Sequence, residues 1–253
     1  MLTLTKGRFH VRLAATPQDI RASQHLRFLA FHGSSNASEN DHGLDQDAFD
    51  DQCDHVLIED YTTKDLVCSF RIKTFSTGRD IGNSYSAQFY DLSLLTDFDA
   101  PMVEVGRFCV HPSVADPNVL RIAWGALTQL VDAQGIELLF GCSSFHGVDT
   151  DLYADVFSIL REKHLAPKKW LPEIKADGVF DYSTIGGQVG DRKAAMRLMP
   201  PLLKTYLMMG GWVSDHAVID RQLNTLHLFT GVEVSAIPLV RKRLLRALVD
   251  APA

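Results

Sequence analysis

The sequence predicts a globular α/β (α+β) fold, and three observations carry that expectation. A strand pattern, a helix pattern and a second strand pattern follow one another over residues 103–142, as in a crossover unit. Two β-type runs, residues 55–60 and 66–73, flank a turn at residues 61–65 and read as a hairpin. Hydrophobic residues make up 46% of the 253-residue chain, enough for a substantial core.

The elements follow in order. Residues 9–15 alternate with period two and read as a first strand. Thr16-Pro17 supplies an N-cap with proline at the first helical position, and Ile20, Leu26, Leu29 and Phe31 support a helix to about Phe31. Residues 33–52 are rich in Gly, Ser, Asn and Asp and form a long loop of the kind that is often functional. After the hairpin, residues 76–99 are irregular, broken by Gly78, Gly82 and Asn83. A buried strand over residues 103–112 comes next, then an amphipathic helix from about Asn118 to Val131, closed by Gly135, then a short apolar strand over residues 136–142. Residues 149–163 read as a helix, 166–172 as a loop, and 200–209 as a helix that starts on two prolines and ends at Gly210-Gly211. Residues 213–219 and 225–238 contain β-type runs. The tail, residues 239–249, is a helix with Leu244, Leu245, Leu248 and Val249 on one side and Arg241, Lys242, Arg243 and Arg246 among them. No repeat or linker divides the chain, so residues 1–253 read as one domain with a C-terminal elaboration from about residue 165.

A net charge of −6 and a pI near 5.9 argue against bulk nucleic-acid binding. Cys53, Cys68, Cys109 and Cys142 lack C-x-x-C spacing, which suggests reduced thiols in a cytoplasm and no metal site. The first residues lack the apolar core of a signal peptide, and no run of about 20 apolar residues occurs. The expectation is a soluble, cytoplasmic protein, peripheral on a membrane at most. The basic tail helix suits either an anionic membrane or packing on its own domain.

The strand over residues 103–112 carries Glu104 and Arg107 three residues apart. Regular alternation would send their side chains to opposite faces, so either a bulge near Val105-Gly106 intervenes or the charges serve different sides.

Several segments together resemble the ornithine-acyl-carrier-protein N-acyltransferases, a family similar to acyl-homoserine-lactone synthases and, more distantly, to the GCN5-related N-acetyltransferases (GNATs). They are residues 47–55 (DAFDDQCDH), 85–92 (YSAQFYDL), 104–112 (EVGRFCVHP), 140–145 (FGCSSF), 200–207 (PPLLKTYL) and 217–225 (AVIDRQLNT), spanning most of the chain in the family's order. The resemblance implies a GNAT-like mixed central sheet, with splayed central strands, flanked by helices. It also implies transfer of a 3-hydroxyfatty acyl group from acyl-carrier protein to the α-amine of ornithine, with lyso-ornithine lipid as the product. Glutamine or another amino acid as acceptor, a homoserine-lactone synthase, and a non-catalytic binding module are the rivals.

By the same resemblance, Glu104 and Arg107 form the catalytic pair, and Arg27, Asp47, Asp50, Arg71, Phe108, Cys142 and Ser143 bind substrate. Val110, Asn118 and Arg121 would hold the donor. Coenzyme-A-using GNATs carry a Gln/Arg-x-x-Gly-x-Gly/Ala turn after this strand; here residues 115–123 read ADPNVLRIA, without those glycines. That departure favours the acyl-phosphopantetheine of acyl-carrier protein, with its single phosphodiester, over coenzyme A; no cofactor is bound.

Acylating an amine requires its neutral form, and Glu104 reads as the base that takes the proton. Its alternative is pairing with Arg107 or Arg71. Asp47 and Asp50 either hold a substrate ammonium or fix the loop against Arg27 and Arg71, the second being preferred. Cys109 and Cys142 adjoin apolar strands and read as structural thiols. Lys168, Lys169, Arg192, Lys193, Arg197 and Lys204 are candidates for a face that docks the acidic carrier protein.

Overall fold

The computed structural model describes residues 2–33, 43–186 and 190–250. In chain order these form β1 (Thr3–Lys6), β2 (Phe9–Leu13), α1 (Pro17–Phe31), β3 (Asp54–Asp60), β4 (Leu66–Phe75) and β5 (Tyr90–Asp91). Next come β6 (Met102–Val110), α2 (Pro117–Gln134), β7 (Leu138–His146), α3 (Ala154–Lys163), β8 (Glu173–Ile174) and β9 (Val179–Asp181). The chain ends with α4 (Arg192–Leu198), α5 (Pro201–Met208), β10 (Trp212–Val213), β11 (His216–Asp220), β12 (Thr225–Glu233) and α6 (Leu239–Asp250). Part of the long loop, residues 34–42, lies outside the described residues.

Two compact units interleave along the chain. The first comprises Met1–Lys73, Val105–Ile136 and Leu239–Ala253, and the second Thr74–Glu104 and Glu137–Pro238. The C-terminal elaboration therefore supplies β8 to β12, α4 and α5 to the second unit and α6 to the first.

In the first unit β1, β2, β3 and β4 form an antiparallel meander, continued by the later part of β6. The strand at residues 9–15 was legible; β1, which pairs with it from Thr3↔Arg12 to Lys6↔Phe9, was not. Helix α1 starts as expected at Thr16, whose hydroxyl accepts from the Asp19 amide while Asp19 Oδ2 accepts from the Thr16 amide. Such reciprocal capping stabilises a helix by about 1 kcal/mol. The buried side of α1 is partly polar, carrying Ser23, Gln24 and Arg27 beside Leu26 and Phe28. Asp116 caps α2, which starts at Pro117, one residue before the expected start. Gly135 closes it in the left-handed conformation (φ 61°) that glycine adopts without a Cβ penalty.

In the second unit the early part of β6 runs parallel to β7, with Met102, Val103 and Glu104 opposite Leu138, Leu139 and Phe140. This register ends at Glu104, where this segment of the unit also ends. Beyond β7 come β12, β11 and β9, all antiparallel; β7 and β12 share nine register pairs. Phe140, Phe229 and Trp212 stack in its core at 5.7 and 5.9 Å between ring centroids. Gly231 makes room for that stack, since a Cβ there would lie 2.5 Å from the Trp212 ring. The irregular stretch before β6 holds three short 3₁₀ turns and β5, which pairs with β8. The run expected as one helix over residues 149–163 divides into a 3₁₀ turn and α3, and α4 is a short helix that the sequence pattern did not reveal.

The fold is thus mixed α/β with mostly antiparallel strands flanked by helices.

Candidate functional site

In the first unit the helix and strand periods bring one polar set together. Positions 23 and 27 lie one turn apart on α1, while 69 and 71 lie on one face of β4. Ser23 Oγ and Ser69 Oγ are 2.6 Å apart, and His55, the register partner of Arg71, has Nδ1 3.3 Å from Ser23 Oγ and Nε2 3.1 Å from the Asp50 carbonyl. Arg27, fully buried, donates from Nε to Asp45 Oδ2 at 2.9 Å and from Nη1 to Asp50 Oδ1 at 2.7 Å, and its Nη2 also reaches the Asp45 carbonyl. Arg71 donates from Nη1 to Asp47 Oδ1 at 2.5 Å and Asp50 Oδ1 at 2.7 Å, and from Nη2 to Asp47 Oδ2 at 2.9 Å. Gln24 adds a bond to Asp50 Oδ2 at 2.9 Å.

Arg107 completes the cluster from β6, with Nη2 3.2 Å from Asp47 Oδ2 and Nε 3.5 Å from Asp45 Oδ2. Its backbone is left-handed, φ 50°, inside a strand. For a residue with a Cβ that costs about 1–2 kcal/mol, which the surrounding ion pairs must hold in place. The break in alternation therefore falls at Arg107, one residue past the Val105-Gly106 step where a bulge was expected.

The six charges cancel: Arg27, Arg71 and Arg107 against Asp45, Asp47 and Asp50. Burial opposes the charge on Asp47 and Asp50, but hydrogen bonds from Arg71 and Arg27 outweigh it and hold both carboxyls below the usual carboxylate range. Burial alone would lower Arg71, and its bonds to Asp47 and Asp50 raise it instead. Asp47, with a side chain 20% exposed, and Arg107, 13% exposed, are the outward members. Asp47 ties the loop to Arg71 and Arg107, and Asp50 ties it to Arg27 and Arg71. Asp45 and His55 belong to the same set: Asp45 stands in a loop without periodicity and was not marked by any sequence pattern, and His55, though inside the 47–55 segment, was given no role.

In the second unit Glu104, 4% exposed, is held by the 85–92 segment. Its Oε2 accepts from the Tyr85 amide at 2.8 Å; its Oε1 accepts from the Ser86 amide at 2.7 Å and the Ser86 hydroxyl at 2.6 Å. Ser86 Oγ in turn lies 3.5 Å from Cys142 Sγ. Ser143, the next residue on β7, accepts from the Thr230 hydroxyl at 2.9 Å. Tyr90, buried, donates to the His227 carbonyl at 2.8 Å, and Phe89 packs edge-on against the His227 ring. A carboxylate gripped by two successive backbone amides is fixed in orientation before any substrate arrives.

The remaining expected residues fall in the first unit. Phe108 stacks on Phe70 at 5.1 Å. Val110 ends β6, and Cys109 Sγ lies 3.6 Å from the Ser69 carbonyl with its thiol pushed by burial up to about 12. Asn118 gives its amide to Asp116 and its side-chain oxygen accepts from Arg121 at 3.4 Å. That cap is acidic and pairs with Arg8 at 3.2 Å. Among the described residues no group of three or more His, Cys, Asp or Glu is gathered to hold a metal ion.

A relative in Rhodobacter capsulatus, an L-ornithine N(alpha)-acyltransferase, is 33% identical over 238 residues, covering 90% of this chain and 91% of its own. The chain belongs to the L-ornithine N(alpha)-acyltransferase family. A second member, from Brucella abortus, is 28% identical over 242 residues, 91% of this chain and 86% of that protein. Residues 26–125, which include Arg27, Arg71, Glu104 and Arg107, match the acetyltransferase (GNAT) domain. The fold is shared with a CoA-dependent acyl-homoserine lactone synthase, MesI, at a TM-score of 0.51 and 13% identity over 96% of this chain and 97% of that one. Like its relatives, the protein is an acyltransferase with a GNAT-like fold.

Proposed function

We propose that this family member transfers a fatty acyl group, 3-hydroxylated, from the phosphopantetheine thioester of acyl-carrier protein to the α-amine of ornithine, forming lyso-ornithine lipid. The observation that carries the reading is the 33% identity, over nearly the full length of both chains, to an L-ornithine N(alpha)-acyltransferase. In the reaction the amine nitrogen attacks the thioester carbon, the C–S bond breaks, and one proton passes from nitrogen to the leaving thiolate.

Glu104 is the proposed base, taking that proton directly or through one water. An α-amine has a reference pKa near 8, so a modest pull suffices at neutral pH. Arg107 is proposed to order the loop that carries Asp45 and Asp47, to which it is ion-paired, and Phe108, Cys142 and Ser143 are each proposed as substrate-binding residues. The donor assignment draws on residues 115–123, whose missing glycines leave no close backbone cradle for a pyrophosphate. Val110, Asn118 and Arg121 would then meet a single phosphodiester. The proposed setting is the cytoplasm, at the inner face of the membrane that receives the product.

A transfer assay tests this reading directly. Purified protein is offered 3-hydroxyacyl-carrier protein or the matching acyl-coenzyme A, each with a panel of amino acids. Acylated ornithine from the carrier-protein donor is the expected product. Preference for coenzyme A overturns the donor, preference for glutamine or another amine overturns the acceptor, and no acylated amine from any pair overturns the activity.

A further inference from the structure

Helix α6 presents two different faces. The inner one packs within the first unit: the Leu248 carbonyl accepts from Lys6 Nζ at 3.1 Å, and Leu248 Cβ sits 3.5 Å from where a Cβ on Gly125 of α2 would be. Arg246 grips Asp132 of α2 through two bonds of 2.9 and 2.8 Å. The outer face carries Leu239, Val240 and Leu244, with relative exposures of 71%, 68% and 55%. Exposed Arg243 lies one turn from both Leu239 and Val240, so apolar and basic groups share that face. The apolar side legible in the sequence, which included Leu248, is therefore divided: Leu248 turns inward and Leu244 outward.

Charge singles the helix out. Residues 239–250 hold four bases, Arg241, Lys242, Arg243 and Arg246, against one acid, Asp250, in a chain whose net charge is −6. An anionic surface would repel most of the molecule and attract this segment. The apolar members are aliphatic residues on a convex helix, a kind under-represented among the anchors of protein interfaces and typical of helices lying in a lipid boundary.

We infer that α6 seats the protein on an anionic lipid surface, with Leu239, Val240 and Leu244 entering the headgroup boundary and Lys242 and Arg243 meeting lipid phosphates. No helix among the described residues is long and apolar enough to cross a membrane, so the contact is peripheral. It does not depend on which acceptor amine the enzyme uses.

The experiment is co-sedimentation of the full chain with vesicles of phosphatidylcholine alone or mixed with phosphatidylglycerol. Wild type should pellet with the anionic vesicles and not with the neutral ones, and salt of about 1 M, where the Debye length is about 3 Å, should release it. L239D/L244D alters exposed positions, so it should keep its circular dichroism spectrum and its transfer rate with soluble substrates while its partition coefficient falls at least tenfold. Wild type that stays in the supernatant, or a double variant that pellets equally, overturns the inference. So does loss of carrier-protein capture by that variant without any vesicle binding by wild type, which would make the face a protein-docking surface. Transfer assayed with soluble substrates separates these outcomes from failure of the proposed reaction.

Discussion

Ser86 holds Glu104 twice through one oxygen: its amide and its hydroxyl both reach Glu104 Oε1, at 2.7 and 2.6 Å. The hydroxyl can be removed without touching the amide, which makes the pair a direct probe of how the carboxylate is used. In Ser86→Ala turnover should fall about tenfold, as expected from the loss of one charged hydrogen bond of about 1.5 kcal/mol, with Ser86→Thr restoring part of it. The pH–rate profile should move with the Ala variant. A profile and rate like wild type would mean that Ser86 merely packs there.

Glu104→Gln keeps the shape and removes the base. Turnover should drop by about 10²–10⁴-fold in a folded variant. Retained turnover would dismiss Glu104 as the base and leave it as the anchor of the 85–92 segment.

The buried ion cluster predicts a stability loss separable from substrate binding. Arg27→Ala strands Asp45 and Asp50 in a dry setting and should cost about 3–5 kcal/mol, lowering Tm by on the order of 10 °C. Asp50→Asn should destabilise in the same direction while leaving the KM for the acceptor amine within about twofold of wild type, a margin worth some 0.4 kcal/mol. A tenfold rise in that KM would return Asp50 to a substrate-binding role.

Acid should weaken the fold in two stages. His55 is held by burial below its ordinary range, so the unfolded chain takes up its proton first and stability falls as pH drops below about 6.5. Asp47 and Asp50 are held low by their arginines, so their contribution, complete above about pH 4, is lost as pH falls further through their folded-state values. Urea midpoints between pH 8 and pH 3 should show both stages, and His55→Gln should shrink the first, leaving the share of His164, which burial also holds low. A midpoint that rises on acidification would contradict this.

Burial raises the thiols of Cys68 and Cys109 above their usual range, the latter to about 12. Iodoacetamide on the native protein should leave both unmodified in a mass spectrum, and Cys109→Ala should keep its turnover. Rapid labelling of Cys109 would reopen it as a nucleophile.

Much of this was legible because it is local. Thr16 and Pro17 announce the start of α1 within two residues, and Gly135 announces the end of α2. Glu104 and Arg107 drew notice as charges in an apolar strand, but the left-handed turn of Arg107 is set by partners 60 and 62 residues away and leaves no local trace. Ser86 was hidden for the same reason: its partner lies 18 residues on, across a stretch with no period. Strand β1 and helix α4 escaped because four and seven residues are too few to establish a pattern.

The balanced cluster of Arg27, Arg71, Arg107, Asp45, Asp47 and Asp50 also bears on how such a chain can change over generations. With charges that sum to zero in a buried place, loss of any one leaves an opposite charge stranded, so single drift at these positions is penalised. Paired exchanges are the accessible route, an arginine with its aspartate. Across descendants of this sequence the six positions should therefore travel together, a linked inheritance set by charge rather than by contact with any substrate.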